Sequence, residues 1–445
     1  MKNTVMQTRL TLPNSQKNFL EFRFDSPAET SDTGVTLLSA VASKIGIIQN
    51  LASSIRDDRD QSKIDHTIES IIAQRVFQIG MGYEDANDAD RLRHDAGFRT
   101  SISGDKSALL ASQPTLSRLE NSVTKRDLIR MGYALVYTFI KSYSKMPKMI
   151  VLDMDPTAAY CYGDQQLSLF NRYEDEYCLA PFHVYDGLTG KLITTIIRPG
   201  KTPKANEIIA VLKRLVKRIQ SAFPKTILMF RADGHHCKPE VLDWLEKHSV
   251  EYIIGLPQNS VLNRQFAFCS DQAKSASKQK KKPLRNYASG LYGAQTWSRK
   301  RRVISRALVG ISGEVDMRYV VTSMKEARAK YLYEAVYCAR GNCERFIKEH
   351  KVDLMSDRMS CNKATANQFR LFLHSAAYMI FHELRSNLLK GTELATAQFS
   401  TIRLRLLKIA ARIEFKGRKT VFHLPEHFPK KEIFEKAVSI LNLVT

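Results

Sequence analysis

Two apolar runs in the sequence end in carboxylates. In VLDMDPT, Asp153 and Asp155 occupy alternate positions of a strand, so both side chains leave one face while Leu152 and Met154 leave the other. Pro156 then closes the run into a turn. ILMFRADG ends the same way, with Asp233 just before Gly234. Strand-end acids of one α/β unit can meet at a single site, where a few carboxylate oxygens hold Mg2+ or Mn2+ and waters and substrate phosphates complete the shell. The bland alternative is that Asp tolerates turns and strands often stop there. His235 and His236 follow the second acid, but no Cys or further His stands at zinc-ligand spacing, so supporting or surface roles are expected of them.

A third signal lies in YCARGNCERFIKEHKVDL. At about 100° per residue, Tyr337, Arg340, Glu344, Lys348 and Lys351 fall within about 80° of helical arc. Val336, Ala339, Cys343, Phe346, Ile347 and Leu354 form a separate apolar stripe that can pack on a sheet. One carboxylate among cations suits a phosphate-bearing substrate. A plain exposed helix with Arg340–Glu344 and Glu344–Lys348 pairs, each worth a few tenths of a kcal/mol, accounts for the charges but not for the tyrosine.

These residues need elements to hold them. The chain has 445 residues, enough for two or three domains, and 44% are apolar, so a substantial core is expected and wholesale disorder is not. Its 68 Lys and Arg against 45 Asp and Glu give a net charge of +23, which calls for a polyanionic partner, nucleic acid first among them. No stretch is apolar enough to span a membrane, and the start, MKNTVMQTRLTLPNSQKNF, lacks the apolar segment of a secretion signal, so no membrane partner and a cytoplasmic location are expected. The seven cysteines form no CxxC pair and point to reduced thiols.

Residues 1–35 read as an arm with at most one short strand, and 36–145 as a helical domain, including SQPTLSRLEN with Ser112 or Thr115 as N-cap. From 146 to 257 short apolar runs alternate with helical spacing: MIVLDMD, TGKLITTIIRPG, ILMFRAD and VEYIIGLP as strands, EIIAVLKRLVKRIQSAF and PEVLDWLEKH as helices. Residues 258–332 break the rhythm with KSASKQKKKPLR, read as a solvated basic loop, and strand-like RRVISRALVGI and MRYVVTS, a β-rich insertion or extension of the sheet. Residues 333–390 and 391–445 return to helix apart from KTVFHLP, the last region being a candidate for dimerisation or DNA contact. The expected fold class is an α/β core of mixed sheet and helices with a β-rich insertion, preceded by an all-helical domain.

Tyr337-x2-Arg340-x3-Glu344-x6-Lys351 resembles the Y-x2-R-x3-E-x6-K signature of bacterial insertion-sequence transposases of the DDE type, whose catalytic core is ribonuclease-H-like. LDMDPTAAYCYGDQQ, the IIRPG turn, FRADG, EHKVDLMSDRMSCNKATANQFRLFLHSAAY and SQPTLSRLEN are similar to one branch of that group, so that motifs cover about residues 110–380. The resemblance implies Asp155 or Asp153 as first acid, Asp233 as second and Glu344 as third, with Asp155 favoured because Asp-Pro-Thr resembles a D-x-T motif. It also implies a β-strand insertion between the second and third acids.

The chemistry implied by the resemblance is a two-metal reaction with Mg2+ or Mn2+, the ions about 3.5–4 Å apart across the scissile phosphate. Water cuts one strand at the element's end and the freed 3′-OH later attacks target DNA. Arg340, Lys348 and Lys351 then face phosphates, and Tyr337 bonds the DNA backbone or orients Glu344. Some members cut the second strand through a hairpin, which needs an aromatic platform for an extruded base; Trp297 is the candidate, with Arg299, Lys300, Arg301 and Arg302 for nearby phosphates, although Trp297 serves equally well as a packing residue. Gln113, Thr115, Ser117 and Arg118, at the start of a helix, are placed to read the terminal inverted repeats in double-stranded DNA. Concerted cutting of two ends implies a homodimer on DNA, acting at the bacterial nucleoid. The competing readings are a ribonuclease-H-like nuclease that joins nothing, a transposase-derived DNA-binding protein that no longer cuts, and a polybasic RNA-binding protein, which explains the charge but not the acids.

Overall fold

Alternation builds the central strand. In β1 (Met149–Pro156), Ile150, Leu152 and Met154 turn to one side while Val151, Asp153 and Asp155 turn to the other. The computed structural model describes residues 10–13, 19–22, 28–104, 108–417 and 419–442. β1 pairs antiparallel with β2 (Phe182–Asp186), which pairs antiparallel with β3 (Leu192–Ile196). On its other side β1 runs parallel to β4 (Ile227–Ala232), and β4 parallel to β5 (Glu251–Leu256). The order β3-β2-β1-β4-β5, with helices in the two later connections, is the mixed sheet expected of a ribonuclease-H-like core.

The expected insertion extends this same sheet. Strands β6 (Leu284–Tyr292), β7 (Arg301–Val309) and β8 (Val315–Thr322) form an antiparallel meander joined to β5 through β8, giving eight strands in the order β6-β7-β8-β5-β4-β1-β2-β3. KSASKQK, expected as a loop, is instead the second half of a helix (Ala267–Lys280). Its Cys269 and Ala273, one turn apart, bury against Ala307 and Val309, so two small residues on a polar helix suffice to dock it on β6 and β7.

Helices cover both faces. Those named below are α1 (Val35–Ile45), α2 (Ile68–Met81), α3 (Gln113–Ser122), α4 (Lys125–Lys141), α5 (Ala205–Ala222), α6 (Pro239–Lys247), α7 (Ala267–Lys280) and α8 (Ala364–Glu383), with a helical run over 329–353 between the last two. α8 is buried along most of its length and packs against α1, α2, α4 and β3. Helices of the first 145 residues therefore share one apolar core with the sheet, and the boundary expected at 145 is a change of secondary structure, not of core.

The expected arm holds a hairpin, Leu10–Pro13 with Phe19–Phe22, and Glu29–Thr30 pairs with a second hairpin near the C-terminus, Ala411–Lys416 with Lys419–His423. KTVFHLP, the expected exception to helix, supplies the last of these strands; the strand before it stands where helix was expected. The remainder of residues 1–27 lies outside the described residues. Among the described residues no helix is long and apolar enough to cross a membrane.

Candidate active site

Asp153 and Asp155 share a face but not an environment. Asp153 is fully buried, and its two oxygens accept from Arg231 Nε at 2.7 Å and Nη2 at 2.6 Å across the β1–β4 pairing. Arg231 also donates Nη1 to the Val336 carbonyl at 2.6 Å, tying the 329–353 run to the sheet. A side chain at position 187 would meet this pair: a Cβ on Gly187 would lie 2.2 Å from Asp153 Oδ2. Burial pushes the Asp153 carboxyl up to about 6 against the pull of Arg231.

Asp155 sits where the strand opens, with 17% of its side chain exposed. Its Oδ2 accepts from Arg340 Nη1 at 2.9 Å. Burial raises its carboxyl to about 6; Arg340 opposes this and the charge of Asp233 adds to it, so the two acids feel each other. Asp233 follows the last residue of β4. Its oxygens are held by the His235 backbone N–H at 3.0 Å, the His235 ring at 2.9 Å and the His236 ring at 2.8 Å. Burial pushes this carboxyl up, but the two histidines outweigh it and hold it below the usual range. The supporting role expected of the histidines is what the geometry gives them.

The 329–353 run brings the remaining groups. Wide turns span Leu332–Tyr337 and Glu349–Asp353, around an ordinary helical stretch Gly341–Lys348. Glu344 is 61% exposed and accepts from Arg340 Nη2 at 2.8 Å, so one guanidinium bridges the first and third expected acids. Tyr337 places its hydroxyl over the end of β5, where a Cβ on Gly255 would lie only 2.6 Å away. The wheel of five residues is only partly kept. Lys351, inside the second wide turn, donates to the Ala158 carbonyl at 2.7 Å and lies over the Tyr160 ring, while Lys348 points to solvent.

Hard carboxylate oxygens of the kind Asp155, Asp233 and Glu344 supply are the ligands that Mg2+ and Mn2+ take. In chemistry the set fits such an ion. Among the described residues, however, no three His, Cys, Asp or Glu side chains are gathered closely enough to hold one, and Arg340 is bonded to two of the acids instead.

A family model described as Transposase DDE domain group 1 matches residues 13–445, nearly the whole chain. The chain belongs to this family of DDE transposases. Among solved structures it is similar to a piggyBac transposase synaptic complex with hairpin DNA, at 12% identity and a TM-score of 0.44, over 85% of this chain and 80% of that one. No curated protein matches it.

The insertion residues fall elsewhere. Strand register sets Asp155 and Asp233 level with Gly255 and hence with Val320, Ile304 and Ser289, whereas Trp297 lies in the β6–β7 turn beyond Tyr292 and Arg301, at the opposite end of the sheet. Trp297 packs edge-on against Tyr292 and under Arg301, which corrects its expected place as a platform at the cut. Arg301 is a buried cation held by Asp243 and Glu246, Arg299 pairs with Glu246 at 2.6 Å, and Arg302 donates to the carbonyls of Met324, Lys325 and Ala327. Arg299 and Arg301 thus tie the turn to α6, and Arg302 holds the segment after β8. Lys300 is exposed in the same turn.

Residues of α3 also lie apart from the acids. Ser112 is the N-cap, its hydroxyl bonded to that of Thr115 at 3.1 Å; the Gln113 backbone donates to Asp90, and exposed Arg118 reaches Thr115 at 3.0 Å. Ser117 is half-buried on the same helix. Arg231 is the residue that spacing along the chain does not single out, although an arginine inside ILMFRA signals a buried carboxylate partner.

Proposed function

We propose that the chain cuts and joins DNA at the ends of an insertion sequence, with Asp155, Asp233 and Glu344 as its acids. The observation that carries this reading is the Arg340 bridge, which ties an exposed glutamate on a helix to the strand-end acid beside Asp233. Asp153 is left out because it is fully buried in a two-point ion pair with Arg231, whereas Asp155 and Asp233 keep part of their side chains open to solvent at the strand ends. Asp155, Asp233 and Glu344 would hold one or two divalent ions, Mg2+ or Mn2+, which when bound supply an activated water and a stabilised leaving oxygen. His235 and His236 keep Asp233 ionised and fixed in orientation. Arg340 bonds both Asp155 and Glu344 in the free protein and offsets part of their charge, and its guanidinium suits a scissile phosphate once those acids are otherwise engaged. Tyr337 anchors the helix on the β4 and β5 ends, and Lys351 holds the start of the 157–179 segment. Double-stranded DNA is the partner in this reading, both terminal inverted repeats and target, with a homodimer bringing two ends together and α3 offering Gln113, Thr115, Ser117 and Arg118 to bases.

The test is incubation of an end-labelled duplex carrying the element's own terminus with a plasmid target and Mg2+. Nicking to a 3′-OH followed by joining to the plasmid supports a transposase, and a hairpin among the products shows how the second strand is cut. Nicking without joining would make the chain a nuclease, and binding without nicking a DNA-binding protein.

A further inference from the structure

The end of the sheet that carries the acids also carries a lysine turn. Following the register outward from Gly255 through Val320, Ile304 and Ser289, β6, β7 and β8 continue about five residues, or about 17 Å, past the level of Asp233. At the tip the chain leaves α7 and enters β6 through Lys278, Lys280, Lys281 and Lys282, all exposed. Ser277 pins this turn by donating its hydroxyl to the Lys282 carbonyl at 2.8 Å. Lys274 pairs with Asp271 one turn earlier; among the described residues the four lysines of the tip have no carboxylate partner. Cations favour a helix C-terminus, which accounts for Lys278 and Lys280 but not for Lys281 and Lys282 beyond it. Lys281 stands in a left-handed conformation, φ +49, at the helix C-cap, a place that glycine fills with less strain.

We propose that this turn is a phosphate clamp for the duplex that enters the acid site, and the inference rests on the reading of that site as a DNA-cutting one. Four strand spacings separate β6 from β4, about 19 Å, and with the outward projection the lysines stand about 25 Å from Asp233. At 3.4 Å per base pair, a duplex with its cut at the acids passes the lysines about seven to eight base pairs away. The clamp thus takes the role that the sequence assigned to Arg299, Arg301 and Arg302, whose charges are engaged at the other end of the sheet.

The experiment measures binding without divalent metal, on labelled duplexes reaching about 5, 10 and 20 base pairs inward from the cut, across a salt series. For the unmodified protein, affinity should rise steeply between the two shorter lengths. In Lys280→Gln/Lys281→Gln/Lys282→Gln that step should vanish, and the slope of log K against log salt on the longest duplex should shrink by about 2 to 3, at about 0.9 for each phosphate no longer neutralised. Lys281→Gly guards against misfolding, since it relieves the left-handed backbone: its melting temperature should rise while its salt slope falls by about 1. A triple variant with the slope and length profile of the unmodified protein overturns the clamp. Failure of the unmodified protein to bind any duplex overturns the proposed function, and the clamp with it.

Discussion

Asp153 and Asp155 stand two residues apart on one strand face, yet one is bonded twice to a buried guanidinium and the other opens beside Asp233. Alternation along VLDMDPT is enough to give both acids one direction; their different depth depends on Arg231, a neighbour in space on β4 that spacing along the chain does not reveal. Buried histidines are set by their surroundings in the same way. His374 and His382 donate ring N–H groups to the Leu354 and Thr189 carbonyls, and burial depresses them to about 3 and about 4. A histidine that is neutral when folded and titrates near 6.5 when unfolded takes up protons only on unfolding in this range. Stability is therefore lost as pH falls from 6.5 towards 4, by about 2 kcal/mol per histidine on reaching pH 5. Urea unfolding at pH 7 and pH 5 should show this loss, and His382→Gln should reduce it; an unchanged loss in the variant contradicts the assignment.

Among the elements, strands are legible where apolar runs meet turn residues, as in β1, β3, β4 and β5. β2 is not. Its five residues, FHVYD, are all buried, so the two-residue period is erased and His, Tyr and Asp disguise a strand that lies between two others. The helix face is legible through Glu344, but wide turns at 332–337 and 349–353 divert Lys351 from it, and no spacing rule foresees them. In the meander β7 and β8 can be read from their apolar runs, but β6, LRNYASGLY, cannot, nor can which end of each hairpin meets the acids, and Trp297 is therefore expected at the wrong end. The contact between the helix and β5 has its own test. In Gly255→Ala the new methyl would press on the Tyr337 hydroxyl and on the Gly234 backbone, pushing the helix off the strand ends. We expect cleavage to fall at least about tenfold, roughly 1.4 kcal/mol in barrier, with DNA binding kept; full activity would separate Tyr337 from the site.

Across the whole molecule, helices from the first 145 residues and the sheet bury their apolar residues in one continuous cluster. The change in sequence texture near residue 145 therefore does not divide the core. Thermal unfolding followed by far-ultraviolet circular dichroism and by tryptophan fluorescence should give coincident transitions, since α4 and α8 cannot leave β3 without exposing the sheet. Two separated transitions would show that the helical region folds as a unit of its own. The charge of +23 acts over these dimensions too, attracting polyanions at long range.

If Asp155, Asp233 and Glu344 form one metal-dependent cutting site, each of them is needed for cutting and none for holding the duplex. Mg2+-dependent nicking of the element's end by Asp155→Asn, Asp233→Asn and Glu344→Gln, beside the unmodified protein and with DNA binding measured on the same samples, tests this. We predict that each substitution abolishes nicking and leaves binding within about threefold, a change in binding free energy under about 1 kcal/mol. A variant among the three that binds and still nicks at the unmodified rate would contradict the assignment of a shared site.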